Sequence, residues 1–255
     1  MRRVRPKKHL GQHFLNDLQI ITQISNLINT NKNTNILEVG PGTGNLTEFL
    51  IKKPGCFKLV EIDPDCILYL SQRFPEIKNK VIKKDFLKLD LQNLFASKFI
   101  IVGNFPYNIS SQILFHILKY KNLVYEIVGM FQKEVAERLI AKKGSKKGIL
   151  SVLMQAFYEI EECLTIKQDA FFPSPKIQSS VVRFKRNQRQ ELTCDENLFI
   201  TIVKSGFNQK RKTLRNALKS FSLENKMELD SLLKKRAEEL SVDDFITIAL
   251  HAKKN

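Results

Sequence analysis

The sequence predicts an α/β fold, a mostly parallel sheet covered by helices on both faces, with a small all-helical C-terminal domain after it. Two patterns carry that expectation. Up to Phe184, short runs rich in Ile, Val and Phe alternate with helix-length segments, the order that parallel strands joined by crossover helices require. Beyond it the strand runs stop and helical spacing takes over. The expected domains are therefore 1–187 and 188–255, with "KRNQRQ" between them. In such a sheet, ligands bind beyond the C-terminal ends of the strands.

Taken in order, residues 17–29 ("DLQIITQISNLIN") open on an Asp suited to capping and set Ile20, Ile21, Ile24, Leu27 and Ile28 on one face, so a helix comes first. Strands are expected at 34–39, 57–62, 80–83, 98–103, 125–131 and 179–184, where β-branched and aromatic residues gather. Further on, "ENLFITIVKSGF" puts Leu198, Phe199, Ile202 and Val203 on one stripe. "LSVDDFITIALHA" then starts at Ser241 with an acid three residues later, close to a capping box.

Composition bounds the function. The chain has 255 residues, 43% apolar and 27% charged, as a soluble globular protein does. Its 42 Lys and Arg against 26 Asp and Glu leave a net charge of +16, which calls for a polyanionic partner, nucleic acid or an anionic membrane surface. No run approaches the roughly 18 consecutive apolar residues of a spanning helix, so any membrane role is peripheral. "MRRVRPKKHLGQHFL" is basic and acid-free like a transit segment but lacks the apolar stretch of a secretory signal; a cytoplasmic location is expected. Cys56, Cys66, Cys163 and Cys194 show no CxxC or zinc spacing, and the four His are scattered, so neither a disulfide nor a metal site is expected.

"ILEVGPGTGNLTEFL" (36–50) is a strand, then Gly40, Gly42 and Gly44, then a helix. Glycines here let the backbone approach a ligand closely, as in a Rossmann-like turn, although a plain tight turn has the same pattern. About twenty residues on, "VEIDPD" ends the next strand with Glu61, placed to accept both hydroxyls of a ribose. Asp85 ends a third strand. Glu38, Asp63 and Asp85 make the rim negative, which suits a cationic cofactor without phosphate: S-adenosylmethionine. Asp63 and Asp85 are equally suited to capping the helices that follow them.

"NFPY" ends the fourth strand at the same edge. Pro106 holds Phe105 extended. The side-chain oxygen of Asn104 and the carbonyl of Phe105 or Pro106 could each accept one hydrogen of an exocyclic amine while Tyr107 stacks on the ring. Such an arrangement returns the delocalised lone pair of an adenine N6 to nitrogen and lets it attack a sulfonium methyl without a strong base. The adenine must then be single-stranded, looped or flipped. The other reading is a strand-ending turn with a surface Tyr.

These residues, with "KKHLGQHFLND" (7–17), "EVGPGTGNLT" (38–47), "NFPYNISSQIL" (104–114), "FFPSPKIQSSVVRF" (171–184) and "GFNQKRKTLRNAL" (206–218) in that order, resemble the ribosomal RNA small-subunit adenine dimethyltransferase family over nearly the whole chain. The resemblance implies an S-adenosylmethionine-dependent methyltransferase that dimethylates N6 of two adjacent adenosines in the 3'-terminal hairpin of 16S rRNA, as a monomer, within the immature small ribosomal subunit. It implies that His13 and Leu15 close over the cofactor and that Gly40 and Gly42 line its amino-acid end. Glu61 then holds the ribose, Asp85 the adenine amine, and Asn104 sits between donor and acceptor. Phe171 is implied as a second aromatic against the target base, though it also reads as a core Phe. Two positions depart from the family pattern: His13 where Asn is common, and Phe105 where Leu or Ile is.

RNA contacts are expected from Arg2, Arg3, Lys7 and Lys8 at one end and from Lys210, Arg211, Lys212 and Arg215 at the other, the latter as one face of a helical turn, unless these are simply solvated charges. The alternatives are a 23S rRNA adenine methyltransferase of the macrolide-resistance type, a non-catalytic RNA-binding assembly factor on the same fold and, last, a DNA adenine methyltransferase.

Overall fold

A computed structural model describes residues 4–254, and Arg2 and Arg3 of the basic arm lie outside them. The chain forms two compact units, one of residues up to Ala136 with Ile160–Arg186, the other of Glu137–Glu159 with residues from Asn187 onward. In chain order the first part holds β1 (Phe14–Leu15), α1 (Leu18–Leu27), β2 (Asn35–Val39), α2 (Thr47–Leu50), β3 (Cys56–Glu61), α3 (Pro64–Arg73), β4 (Val81–Lys83), β5 (Phe99–Asn104), α4 (Ser110–Lys119) and β6 (Val124–Gln132). Then come α5 (Lys133–Ile140), α6 (Ile149–Gln155), β7 (Tyr158–Ile166), β8 (Phe171–Phe172) and β9 (Ser179–Arg186). After these follow α7 (Glu196–Asn208), α8 (Leu214–Ala217), β10 (Phe221–Leu223), α9 (Lys226–Leu233), α10 (Val242–Leu250) and β11 (Ala252–Lys254).

A seven-stranded sheet in the order β4-β3-β2-β5-β6-β9-β7 organises the first unit. The strands from β4 to β6 are parallel and β9 is antiparallel to β6. Parallel strands are covered on both faces, so they read as continuous apolar runs: Phe99 to Val102 of β5 are all buried. α1 begins at Asp17, whose carboxylate accepts from the Gln19 and Ile20 amides at 2.9 and 3.1 Å, and turns Ile21 and Ile24 into the core. β7 escaped the sequence because "YEIEECLTI" is an edge strand, buried at its two ends and carrying Glu on exposed positions.

The ring of Phe105 has a built place. Gly103 and Gly129 are partners across β5 and β6, and Phe105 lies over both. A Cβ on Gly129 would stand 2.4 Å from Phe105 Cε2, and one on Gly103 2.9 Å from Cε1. Phe131 closes the slot edge-on at 5.4 Å. Two glycines thus make room for a ring larger than the usual Leu or Ile.

In the second unit α6, α7 and α10 pack together, with Phe199, Ile202, Val203, Phe245 and Ile248 buried. Ser241 and Asp244 form the expected capping box. Residues 137–159 belong to this unit, whereas a single division at 187/188 would leave them with the sheet. The unit is also not wholly helical, since β10 and β11 form an antiparallel pair. Three-residue strands are too short to show an alternating pattern.

The packing predicts that Gly129→Ala destabilises the protein by about 1–3 kcal/mol, as overpacking does, and that Phe105→Leu in the same chain recovers most of the loss. Thermal melts of the single and double variants check this.

Candidate active site

The C-terminal ends of β2, β3 and β5 open into a cavity of about 240 Å³. Its wall includes Gly40, Gly42, Glu61, Asp85, Asn104 and Tyr107, with His13 and Phe14 from the N-terminal segment. Gly40 and Gly42 have φ of +67° and +57°, a region that favours glycine. The Gly42 amide donates to Glu61 Oε2 at 3.1 Å, and the amides of Ile62 and Asp63 donate to Oε1 at 2.8 and 2.9 Å. Glu61 is buried, which pushes its carboxyl above the usual range although those three amides pull the other way. A carboxylate offers about four acceptor sites, so hydroxyl donors can still be accepted. Asp85 both lines the cavity and caps the turn after β4, accepting the Leu87 amide at 3.0 Å.

The negative rim is smaller than the sequence suggested. Glu38 is buried, takes a hydrogen bond from the Thr47 hydroxyl at 2.8 Å, and has its pKa pushed up to about 8 by burial. Asp63 does not line the cavity. It caps α3 and accepts from Lys7 Nζ at 2.5 Å and Gln12 Nε2 at 2.8 Å. Burial alone would raise its carboxyl, but Lys7 and Gln12 hold it below the ordinary value. Lys7 also pairs with Asp65 at 2.7 Å. It is therefore a latch between the N-terminal segment and α3, not the phosphate contact expected of it. Gln12, which nothing in the sequence singled out, completes the latch.

Asn104 Nδ2 donates to the His13 carbonyl at 2.6 Å. That bond fixes which end of the amide faces the cavity, and Oδ1 has no partner among the described residues. The Pro106 carbonyl accepts the Ile109 amide at 3.1 Å, closing the turn into α4. The Tyr107 hydroxyl bonds to Ser179 Oγ at 2.5 Å, and its ring stacks on His13 with centroids 5.4 Å apart. His13 Nδ1 meets the Pro173 carbonyl at 2.7 Å, which requires its proton on that nitrogen. An Asn at position 13 would supply the backbone carbonyl but not the ring.

Two expected site residues are buried, although Leu15 still lines a small cavity with Gly40 and Asn104. Leu15 and Phe171 are partners across β1 and β8 and belong to the hydrophobic core, 5% and 3% exposed. Their neighbours Phe14 and Phe172 take the outward positions. Phe14 packs against Gly42, where a Cβ would stand 2.8 Å from its ring, and Phe172 is 60% exposed. Burial in the core leaves Phe171 no free face for a base.

Lys210, Arg211 and Lys212 lie between α7 and α8, and Arg215 lies in α8, so the four do not share one helical face. Lys210 Nζ donates to the Ser145 carbonyl at 2.6 Å, and Arg215 is paired with Asp230. Arg211 and Lys212 are exposed, as is Lys8. Among the described residues no group of three or more His, Cys, Asp or Glu could hold a metal ion, and no helix is long and apolar enough to cross a membrane.

The model of the family described as ribosomal RNA adenine dimethylase matches residues 3–254. A relative from Cytophaga hutchinsonii called ribosomal RNA small subunit methyltransferase A is 52% identical, over 97% of this chain and 97% of its own. Among solved structures, a dimethyladenosine transferase from Plasmodium falciparum is 26% identical with a TM-score of 0.78, covering 92% of this chain and 96% of that one. The 23S rRNA methyltransferase ErmE reaches a TM-score of 0.73 at 22% identity, covering 92% and 97%, a likeness of fold.

Burial of Glu38 carries a pH signature. Its folded pKa of about 8 exceeds its ordinary 4.5, so between those values the unfolded chain holds fewer protons and stability falls as pH rises. Glu38→Gln should remove that share. Relative to the parent, the variant is expected to melt higher at pH 8 than at pH 5, and melts at the two values check it.

Proposed function

This chain belongs to the ribosomal RNA adenine dimethylase family, and we propose that it dimethylates N6 of two adjacent adenosines in the 3'-terminal hairpin of 16S rRNA, using S-adenosylmethionine. The observation that carries the reading is the amide of Asn104, turned by the His13 carbonyl so that Oδ1 stands open beside the glycine turn and Glu61. The half-identical relative named for the small subunit supports that substrate over 23S rRNA.

The residues present fit the cofactor. A Cβ at Gly42 would strike Phe14, so only bare backbone leaves the cradle open. Glu61, pre-set by three amides, accepts the ribose hydroxyls, and Asp85 accepts the adenine amine. Bound S-adenosylmethionine supplies a methyl group on a sulfonium, activated for attack by a weak nucleophile.

The chain's own groups prepare that nucleophile. Asn104 Oδ1 accepts one N6 hydrogen. The Pro106 carbonyl is engaged in its turn, so the Phe105 carbonyl is assigned the other. Holding both hydrogens would localise the lone pair on N6 and aim it in line at the donor's methyl carbon; transfer would exchange the S–C bond for an N–C bond, releasing the thioether S-adenosylhomocysteine, and the surplus proton would pass to water. Tyr107 holds the base by stacking, an effect of about 1–3 kcal/mol in single-strand binders. His13 covers one face of that ring, so the base takes the other. Catalysis is then orientation and electrostatics.

Arg211, Lys212 and Lys8 supply phosphate contacts, with Arg2 and Arg3 beyond the described residues. The enzyme acts as a monomer in the cytoplasm on the immature small subunit, with the 188–255 region as an RNA-binding domain.

The test is transfer of labelled methyl from S-adenosylmethionine to unmethylated small and large ribosomal subunits, followed by digestion to nucleosides. Label in dimethyladenosine from the small subunit alone is expected. Label from the large subunit alone would overturn the substrate assignment, and none from either, with RNA still bound, would point to an assembly factor.

A further inference from the structure

Phe14 borders three cavities, the smallest of which, with Gly40, Thr43, Asn45 and Asn104 in its wall, lies between the other two. Of those two, one is the methyl-transfer cavity, and the second, of about 360 Å³, is lined by Val4, Asn16, Thr43, Asn45, Tyr69 and Phe172 besides Phe14. That size lies in the range of small-ligand clefts, and none of those six side chains has a part in the chemistry above.

Its polar groups are arranged. Asn45 is fully engaged: Nδ2 donates to the Leu15 carbonyl at 2.8 Å and to Asn16 Oδ1 at 3.0 Å, and Oδ1 accepts from Arg73 at 2.7 Å. Asn16 accepts through Oδ1, and its Nδ2 has no partner among the described residues. Neither the Thr43 nor the Tyr69 hydroxyl has a hydrogen-bond partner among the described residues. The lining includes no carboxylate. Aromatic rings with an amide and hydroxyls between them suit a nucleobase, which offers a π-face for stacking and polar edges. Arg5, next to Val4, and Lys176, in the loop after Phe172, are exposed cations for its phosphates.

Position completes the argument. His13 stacks on Tyr107, and the next residue, Phe14, pairs with Phe172. Successive residues of an extended segment are about 3.3 Å apart, so the two aromatic rings are reached from adjoining residues, one by ring stacking and one by strand pairing.

We propose that this second cavity binds the base of the nucleotide adjoining the target adenosine, stacked on Phe172 with Asn16, Thr43 and Tyr69 at its edge. The assignment rests on the reading of this protein as an RNA adenosine methyltransferase.

The chain contains no tryptophan, so Phe172→Trp installs a single reporter. Titration with a short single-stranded oligoadenylate should quench it saturably, while a ribose-phosphate oligomer without bases and S-adenosylhomocysteine should not. No quenching by oligoadenylate, or equal quenching by S-adenosylhomocysteine, would overturn the subsite. In parallel, Phe172→Ala should raise KM for unmethylated small subunits about tenfold with kcat and cofactor affinity unchanged; an unchanged KM counts against it. Quenching in a protein whose parent transfers no methyl to any RNA would keep the subsite and sink the enzymatic reading.

Discussion

The hydrogen bond from Asn104 Nδ2 to the His13 carbonyl is the interaction on which the site depends. An Asn side chain has a donor end and an acceptor end of nearly the same shape, and only a fixed partner decides which faces a ligand. Here the partner is backbone, so the N-terminal segment must be in place for the acceptor to point into the cavity. The segment is held independently by Lys7 and Gln12 on the buried carboxylate of Asp63. Asp63 in turn donates its amide to Glu61. The end of β3 and the short turn after it therefore carry both the acid assigned to the ribose and the anchor of the segment that aims Asn104.

Most of this sheet was legible in the sequence because its strands are buried on both faces and stop at abrupt polar residues. Gly40, Glu61, Asp85 and Asn104 were found by asking what ends each strand, and all four line one cavity. The pairing of Lys7 with Asp63 was not legible. Residues so far apart in sequence give no local signal, and a lysine in a basic arm reads as an RNA contact until its carboxylate is seen.

Leu15 and Phe171 turn toward the core together for one reason. They face each other across β1 and β8, and in a strand neighbouring side chains point to opposite sides. A one-residue offset exchanges core for cavity. Leu15 and Phe171 fall on the core side, Phe14 and Phe172 on the other, and two-residue strands are too short to reveal their alternation beforehand. The same outward pair borders the second cavity, so the register that removes Phe171 from the site supplies Phe172 to it.

The central claim is that Asn104 acts on the reacting amine while the fold holds donor and RNA without it. The most direct test is single-turnover methyl transfer by Asn104→Ala, with cofactor and small-subunit affinities measured on the same protein. A fall in rate of roughly 10²- to 10³-fold, the scale of losing one oriented polar group at a reacting centre, with both affinities within a few-fold of the parent, is the predicted result. A rate retained within a few-fold, or affinities lost in step with the rate, would contradict it.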